Sequence, residues 1–170
     1  MQTLAQTVVH AALAHKAALA LAESCTGGRV AAEICGVNGA SEVFLGGVVA
    51  YSNAVKNSVL GVPQELLDTC GAVSAEAAHA MAEGARRVLG ATHAVAITGI
   101  AGPTGATATK PVGRVYVAVA MPQGTHVERF NFTGTRHAVQ TQATEAALRI
   151  LLVTLTKPAR MQPGNGNPAP

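Results

Sequence analysis

The sequence predicts an α/β chain folded as a three-layer α/β/α sandwich around a mixed, mostly parallel sheet. Three observations carry this. Short apolar runs at about 17–22, 43–51 and 93–97 have the length and composition of buried strands. Each is followed by a segment with helical periodicity, the alternation that builds parallel sheets covered on both faces. Two further strand-like runs, 114–121 and 126–132, are separated by Pro122-Gln123-Gly124, a hairpin signal that brings in an antiparallel member.

Taken in order, Leu4, Val8, Val9, Ala12 and Leu13 recur at helical spacing and predict an amphipathic first helix over 3–15. The first strand, 17–22, runs into Glu23-Ser24-Cys25-Thr26-Gly27-Gly28, and a helix over 26–35 carries Val30, Ala31 and Ile34. Residues 36–41 form a loop. The strand at 43–51 contains Gly46-Gly47, which marks a bulge or a close backbone approach. Ser52-Asn53 ends it and caps a short helix carrying Lys56. Gly61-Val62-Pro63 opens another short helix that Gly71 stops. Ser74 caps a long Ala-rich helix with Ala77, Met81, Ala85 and Val88 on its buried face and Gly90 just past its end. The 93–97 strand leads into Thr98-Gly99-Ile100-Ala101-Gly102-Pro103, and after the hairpin a last helix spans 135–156. One domain over 1–157 accounts for the pattern, and the Gly/Asn/Pro-rich segment 158–170 is expected to be disordered.

Composition bounds the function. About half of the 170 residues are apolar (49%) and only 12% are charged, which favours burial of surface by self-association into a homo-oligomer. The net charge of +3 comes from scattered basic residues apart from Arg86-Arg87, so no nucleic-acid-binding stripe is present. Cys25, Cys35 and Cys70 form no CxxC pair and read as reduced thiols. The six histidines show no metal-ligand spacing, so no metal or cofactor is expected. The N-terminus lacks a signal-peptide layout and no apolar run reaches about 18 residues, so a soluble cytoplasmic protein without membrane contact is expected.

In an open α/β sheet, ligands bind beyond the carboxyl ends of the strands. Ser24, the Tyr51–Lys56 segment and Thr98–Gly102 all fall there. A serine at a strand-to-helix turn presents its hydroxyl beside backbone N–H groups that stabilise anions, a setting for a nucleophile or for a phosphate. As a nucleophile it needs a base, and Lys56 and Glu23 are the candidates. Lys56 serves only if burial or a nearby positive charge lowers its pKa, and Tyr51 could orient its amine or relay a proton. The N–H groups of Thr26 to Gly28 would make an oxyanion hole. Each residue also has a plainer role: Ser24 as a helix cap, Lys56 as a solvated helix residue, Tyr51 as a half-buried strand end. Glu23 could be a buried acid paired with backbone N–H groups, Gly99 and Gly102 turn residues, and Arg136 a surface residue rather than an anion clamp.

Taken together, Ala22–Gly28, Gly46–Asn53 with Lys56, Gly71–Ser74, Ala82–Ala85, Thr98–Pro103 and Lys110–Gly113 resemble the CinA C-terminal domain family over roughly residues 5–155. The resemblance implies the three-layer fold already reached. It also implies a nicotinamide mononucleotide deamidase, which hydrolyses the carboxamide to the acid and releases ammonia in pyridine nucleotide salvage. On that resemblance Ser24 is the nucleophile, Lys56 its base and Tyr51 an auxiliary. Glu23, Thr26, Gly27, Gly28, Thr98 and Gly99 would line the substrate site, and Arg136 would hold the phosphate. Two positions depart from the family pattern: Thr135 replaces the acid of its Gly-Asp-Arg segment, and Gln140 replaces a frequent arginine. The 103–109 loop is also less glycine-rich. These departures keep open a non-catalytic nucleotide-binding or regulatory module, or a Ser–Lys amidase for another small carboxamide. Larger members carry an N-terminal nucleotide-processing domain, whose activity is expected to be absent here.

Overall fold

A computed structural model describes residues 2–156; the segment 158–170, expected to be disordered, lies outside the described residues. Along the chain run α1 (Leu4–Ala14), β1 (Leu19–Glu23), α2 (Arg29–Cys35), a 3-10 turn (Ala40–Glu42), β2 (Phe44–Val49), α3 (Asn53–Ser58) and α4 (Gln64–Thr69). These are followed by α5 (Ala75–Leu89), β3 (His93–Gly99), β4 (Arg114–Met121), β5 (Gly124–Asn131) and α6 (Arg136–Thr156).

The strands form one sheet in the order β2-β1-β3-β4-β5. β1 pairs parallel with β2 and β3, while β4 is antiparallel to both β3 and β5. One strand, β4, therefore runs against the other four, and the sheet is mixed and mostly parallel as expected. Its two faces differ in bulk because side chains alternate along a strand. Leu19, Leu21, Val95, Ile97, Val115, Val117 and Val119 pack with α1, α2 and α6. Ala20, Ala22, Ala94, Ala96, Ala118 and Ala120 face the opposite way, toward α5. The small residues let α5 lie close to the sheet, and a side chain at Gly84 would collide with the Leu60 carbonyl.

Local chemistry sets the element ends. Ser74 Oγ accepts from Ala77 N–H at 3.1 Å to cap α5, and Gly90 closes it at φ +66°. Val88, expected on the buried face, is 49% exposed; in the last turn Leu89 packs against the core instead. α2 begins at Arg29 rather than 26 because Gly27 and Gly28 take φ of +61° and +94°, a left-handed turn that cannot be helix. Gly46-Gly47 shows both expected features. The β1–β2 register skips Leu45, and a Cβ on Gly47 would come 3.1 Å from Leu21 Cβ. The second hairpin strand starts at Gly124, two residues earlier than expected, because the pairing with β4 continues to the Met121–Gly124 closure. No helix among the described residues is long and apolar enough to cross a membrane.

Candidate active site

Ser24 is the first residue past β1. Its N–H donates to the Ile97 carbonyl at 2.9 Å, so the β1–β3 ladder extends to the serine and holds its backbone between two buried strands. The chain then turns sharply, and Gly27 N–H donates to the Ser24 carbonyl at 3.1 Å. Glu23, only 1% exposed, reaches forward over this turn. Its carboxylate accepts from the N–H groups of Gly28 (3.0 Å), Val30 (3.2 Å) and Ala31 (2.8 Å). Of the readings open for Glu23, the buried acid paired with backbone is the one observed. It caps the opening of α2 and does not line the cavity that holds Ser24 and Lys56.

The same bonds correct the expected oxyanion donors. The N–H groups of Gly27 and Gly28 already have acceptors, so these glycines shape the turn and are not free to bind substrate. Among the described residues, the N–H groups of Cys25 and Thr26 have no acceptor. The Thr26 side chain is buried, its hydroxyl lacks a partner among the described residues, and it does not line the cavity described below.

Lys56 faces Ser24 from across the sheet end. Ser52 Oγ accepts from Val55 N–H at 3.3 Å, capping α3 so that its one buried residue, Lys56, turns inward. The side chain is 1% exposed. Its Nζ lies 3.1 Å from Ser24 Oγ, 2.7 Å from the Ala50 carbonyl and 3.3 Å from the Tyr51 carbonyl. Burial lowers its pKa below the usual 10.5, with an opposing pull from the Cys25 thiol. Burial pushes that thiol in turn up to about 12, so at neutral pH Cys25 is a protonated thiol and a poor nucleophile.

Tyr51 was expected to orient the Lys56 amine through its phenol. Its main-chain carbonyl does so instead, while the side chain is 62% exposed and its hydroxyl accepts from Arg136 at 2.9 Å. The backbone turns from β2 into α3 at this point, which directs the carbonyl inward and the ring outward. Arg136, the first residue of α6, also donates to the Gly102 carbonyl at 2.9 Å and so joins the rims of β2 and β3. Thr98 is buried, and its hydroxyl donates to the Ala72 carbonyl at 2.7 Å. A Cβ on Gly99 would come 2.7 Å from the Arg114 carbonyl, which accounts for glycine there.

Ser24, Lys56, Tyr51, Thr98, Gly99 and Arg136 thus line one cavity of about 200 Å³. Glu23, Thr26, Gly27 and Gly28 do not. The cavity also includes Asn53, Ala72 and Val73. Asn53 reads in sequence only as a helix-start residue, and Ala72-Val73 carries no reactive group that could single it out. A larger hollow of about 660 Å³ lies between β5 and α6, lined by Met121, Phe130, Ile150 and Val153 together with Thr125 and the His126–Glu128 pair, 2.8 Å apart. The buried Ser24–Lys56 contact lies in the smaller cavity.

The two departures from the family pattern have structural roles. Thr135 Oγ1 accepts from Ala138 N–H at 3.3 Å at the start of α6, a task an aspartate would also perform. The Gln140 carboxamide donates to the Cys25 carbonyl at 2.8 Å and accepts from Arg29 at 3.1 Å.

The CinA C-terminal domain family model matches residues 1–155. The CinA-like protein of Anaeromyxobacter sp. (strain K) is 52% identical over 152 residues, covering 89% of this chain and 37% of that protein. The CinA-like protein of Geotalea uraniireducens (strain Rf4) is 54% identical over 122 residues, covering 72% and 29%. The chain spans about a third of the length of these curated relatives. Two solved structures are similar over nearly their whole chains. A competence-damaged protein (CinA) superfamily protein from Klebsiella pneumoniae 700603 has a TM-score of 0.87 at 36% identity, covering 89% of this chain and 95% of that one. The competence/damage inducible protein CihA from Agrobacterium tumefaciens has a TM-score of 0.87 at 36% identity, covering 91% and 94%.

Proposed function

The chain belongs to the CinA C-terminal domain family, and we propose that it hydrolyses the carboxamide of nicotinamide mononucleotide to the acid, releasing ammonia. The observation that carries this reading is the buried contact of 3.1 Å between Lys56 Nζ and Ser24 Oγ. A neutral lysine amine can take the serine proton, and Lys56 is the buried base whose pKa is lowered.

Ser24 Oγ bonds to the carboxamide carbon while its proton passes to Lys56 Nζ. The oxyanion of the tetrahedral intermediate is assigned to the N–H of Cys25, which follows Ser24 and lines the same cavity. Collapse breaks the C–N bond, and the leaving nitrogen takes the proton back from Lys56 and departs as ammonia. Water then attacks the acyl-serine ester while its proton passes to Lys56; the C–O bond to Ser24 breaks, Lys56 returns the proton to Ser24 Oγ, and the nicotinic acid mononucleotide is freed. The substrate phosphate is assigned to Arg136. In support, no residue lining the cavity is acidic, and with Lys56 neutral the guanidinium of Arg136 is the charge there.

Ammonia and acid formation from nicotinamide mononucleotide, measured for the wild type, Ser24→Ala and Cys25→Ala, test the reading. Turnover should survive in Cys25→Ala and vanish in Ser24→Ala. Ammonia release by Ser24→Ala at the wild-type rate would rule out the covalent route. Saturable binding without product in the folded wild type would point to a non-catalytic nucleotide-binding module.

A further inference from the structure

We infer that Thr98 is a specificity-determining residue that accepts a hydrogen bond from the carboxamide nitrogen of the substrate; the inference rests on Ser24 as the nucleophile. Glu23 pairs with Ile97, and Ser24 N–H donates to the Ile97 carbonyl, so Ser24 and Thr98 are the next neighbours across β1 and β3. Adjacent strands lie about 4.8 Å apart, and side chains in register share a face. Ala20, Ala22, Ala94 and Ala96 set that face toward α5, and Ser24 and Thr98 continue it by alternation. Both residues line the cavity. Lys56 reaches Ser24 from α3, which follows β2, and β2 lies on the other side of β1 from β3. The nucleophile therefore has its base on one side and Thr98 on the other.

A hydroxyl has one hydrogen and two lone pairs. Thr98 is buried, and its hydrogen is committed to the Ala72 carbonyl at 2.7 Å. What Thr98 Oγ1 has left for a ligand is acceptor capacity alone. A carboxamide brings an NH2 with two donors, whereas the carboxylate formed from it brings only acceptors. Thr98 thus favours the substrate over the product at the same position. It also aims the leaving group. In the tetrahedral intermediate the nitrogen carries two hydrogens and a lone pair. With one N–H given to Thr98, the lone pair turns toward Lys56 on the opposite side. The nitrogen takes its third hydrogen there as the C–N bond breaks, and it leaves as ammonia. An ester has no N–H to offer at this place, so the arrangement selects a carboxamide over an ester of the same acid.

The test compares Thr98→Val, which keeps the shape and removes the hydroxyl, with Thr98→Ser, which keeps the hydroxyl. Both are assayed beside the wild type on nicotinamide mononucleotide and on the methyl ester of the corresponding acid. Nicotinamide and benzamide, each beside the methyl ester of its acid, extend the comparison. In Thr98→Val, kcat/KM for the amide should fall about 10- to 100-fold, while that for the ester changes less than about threefold. Thr98→Ser should recover most of the amide turnover lost in Thr98→Val. Thr98→Val also leaves the Ala72 carbonyl without its donor. A purely structural role would therefore lower amide and ester hydrolysis together, and that result overturns the proposal. So does an unchanged amide-to-ester ratio in a stable Thr98→Val protein. If Thr98→Val does not fold, Thr98→Ala removes the same hydroxyl and gives the same comparison. A wild type that hydrolyses one of the simpler carboxamides and not the mononucleotide refutes the deamidase reading. An amide-selective loss on that carboxamide then still upholds the role of Thr98, and an equal loss overturns it. A wild type that cleaves none of the three carboxamides overturns both.

Discussion

Lys56 Nζ lies 3.1 Å from Ser24 Oγ while the carbonyls of Ala50 and Tyr51 occupy its other two directions. An ammonium would donate to all three oxygens. A neutral amine has two hydrogens for the carbonyls and one lone pair, which then faces the serine hydroxyl. The two carbonyls thus orient the base as well as hold it, and both come from the strand-to-helix turn that leads into the lysine.

The first prediction concerns pH. Turnover should rise as Lys56 loses its proton, with a midpoint below the amine's usual 10.5 and a plateau above that midpoint. Lys56→Arg should be inactive throughout. Stability carries the same signature: between the lowered folded pKa and 10.5, the unfolded chain binds the proton and the folded one does not. Stability should therefore increase with pH across that window and be lost as pH falls through the folded pKa. Thermal melts of the wild type and Lys56→Met across this range should show the wild type gaining on the variant as pH rises. Parallel curves would mean that the lysine is charged in the folded state.

A second prediction concerns Glu23. Glu23→Ala leaves the N–H groups of Gly28, Val30 and Ala31 without their acceptor. The expected loss is about 3 kcal/mol, which for a domain of this size lowers Tm by about 6–12 °C. Activity should fall with it, since the same turn carries Ser24. A melting temperature within about 2 °C of wild type would show that the cap contributes little.

The third prediction separates Arg136 from Tyr51. Arg136→Ala should raise KM for the mononucleotide about 10- to 100-fold, the range of a lost charge-assisted contact. It should leave KM for the corresponding riboside, which has no phosphate, unchanged. Tyr51→Phe removes only the hydroxyl that accepts from Arg136, so kcat should change less than about threefold. Loss of turnover in Tyr51→Phe would put the phenol in the chemistry and contradict its outward position.

How much was legible in the sequence followed the range of each interaction. Short-range signals read correctly: Ser74 and Gly90 bound α5, Gly46-Gly47 marks the bulge, and Ser52 caps α3. Where a signal depended on a side chain's direction, it did not. The phenol of Tyr51 and the isopropyl group of Val88 point to solvent, because a turn or a helix end reorients them. Nothing in the local pattern around Gln140 indicates Cys25 as its partner.

By itself, the sequence determined the layering. Its strands alternate large and small residues, so one face of the sheet takes α1 and α6 and the other admits α5 closely. It also placed Ser24 and Lys56 beyond strand ends, since strand-to-helix turns come where the apolar runs stop; Thr98, expected beyond its strand, lies in the last turn of the ladder because β3 runs on to Gly99 through its pairing with β4. The tertiary structure alone decided which polar groups are already bonded. Glu23 takes up three N–H groups, Gly27 and Gly28 lose theirs, and Cys25 and Thr26 keep theirs free. Hydrogen bonds saturate and depend on angles of a few tens of degrees. Which donors remain is therefore settled only when every neighbour has its position.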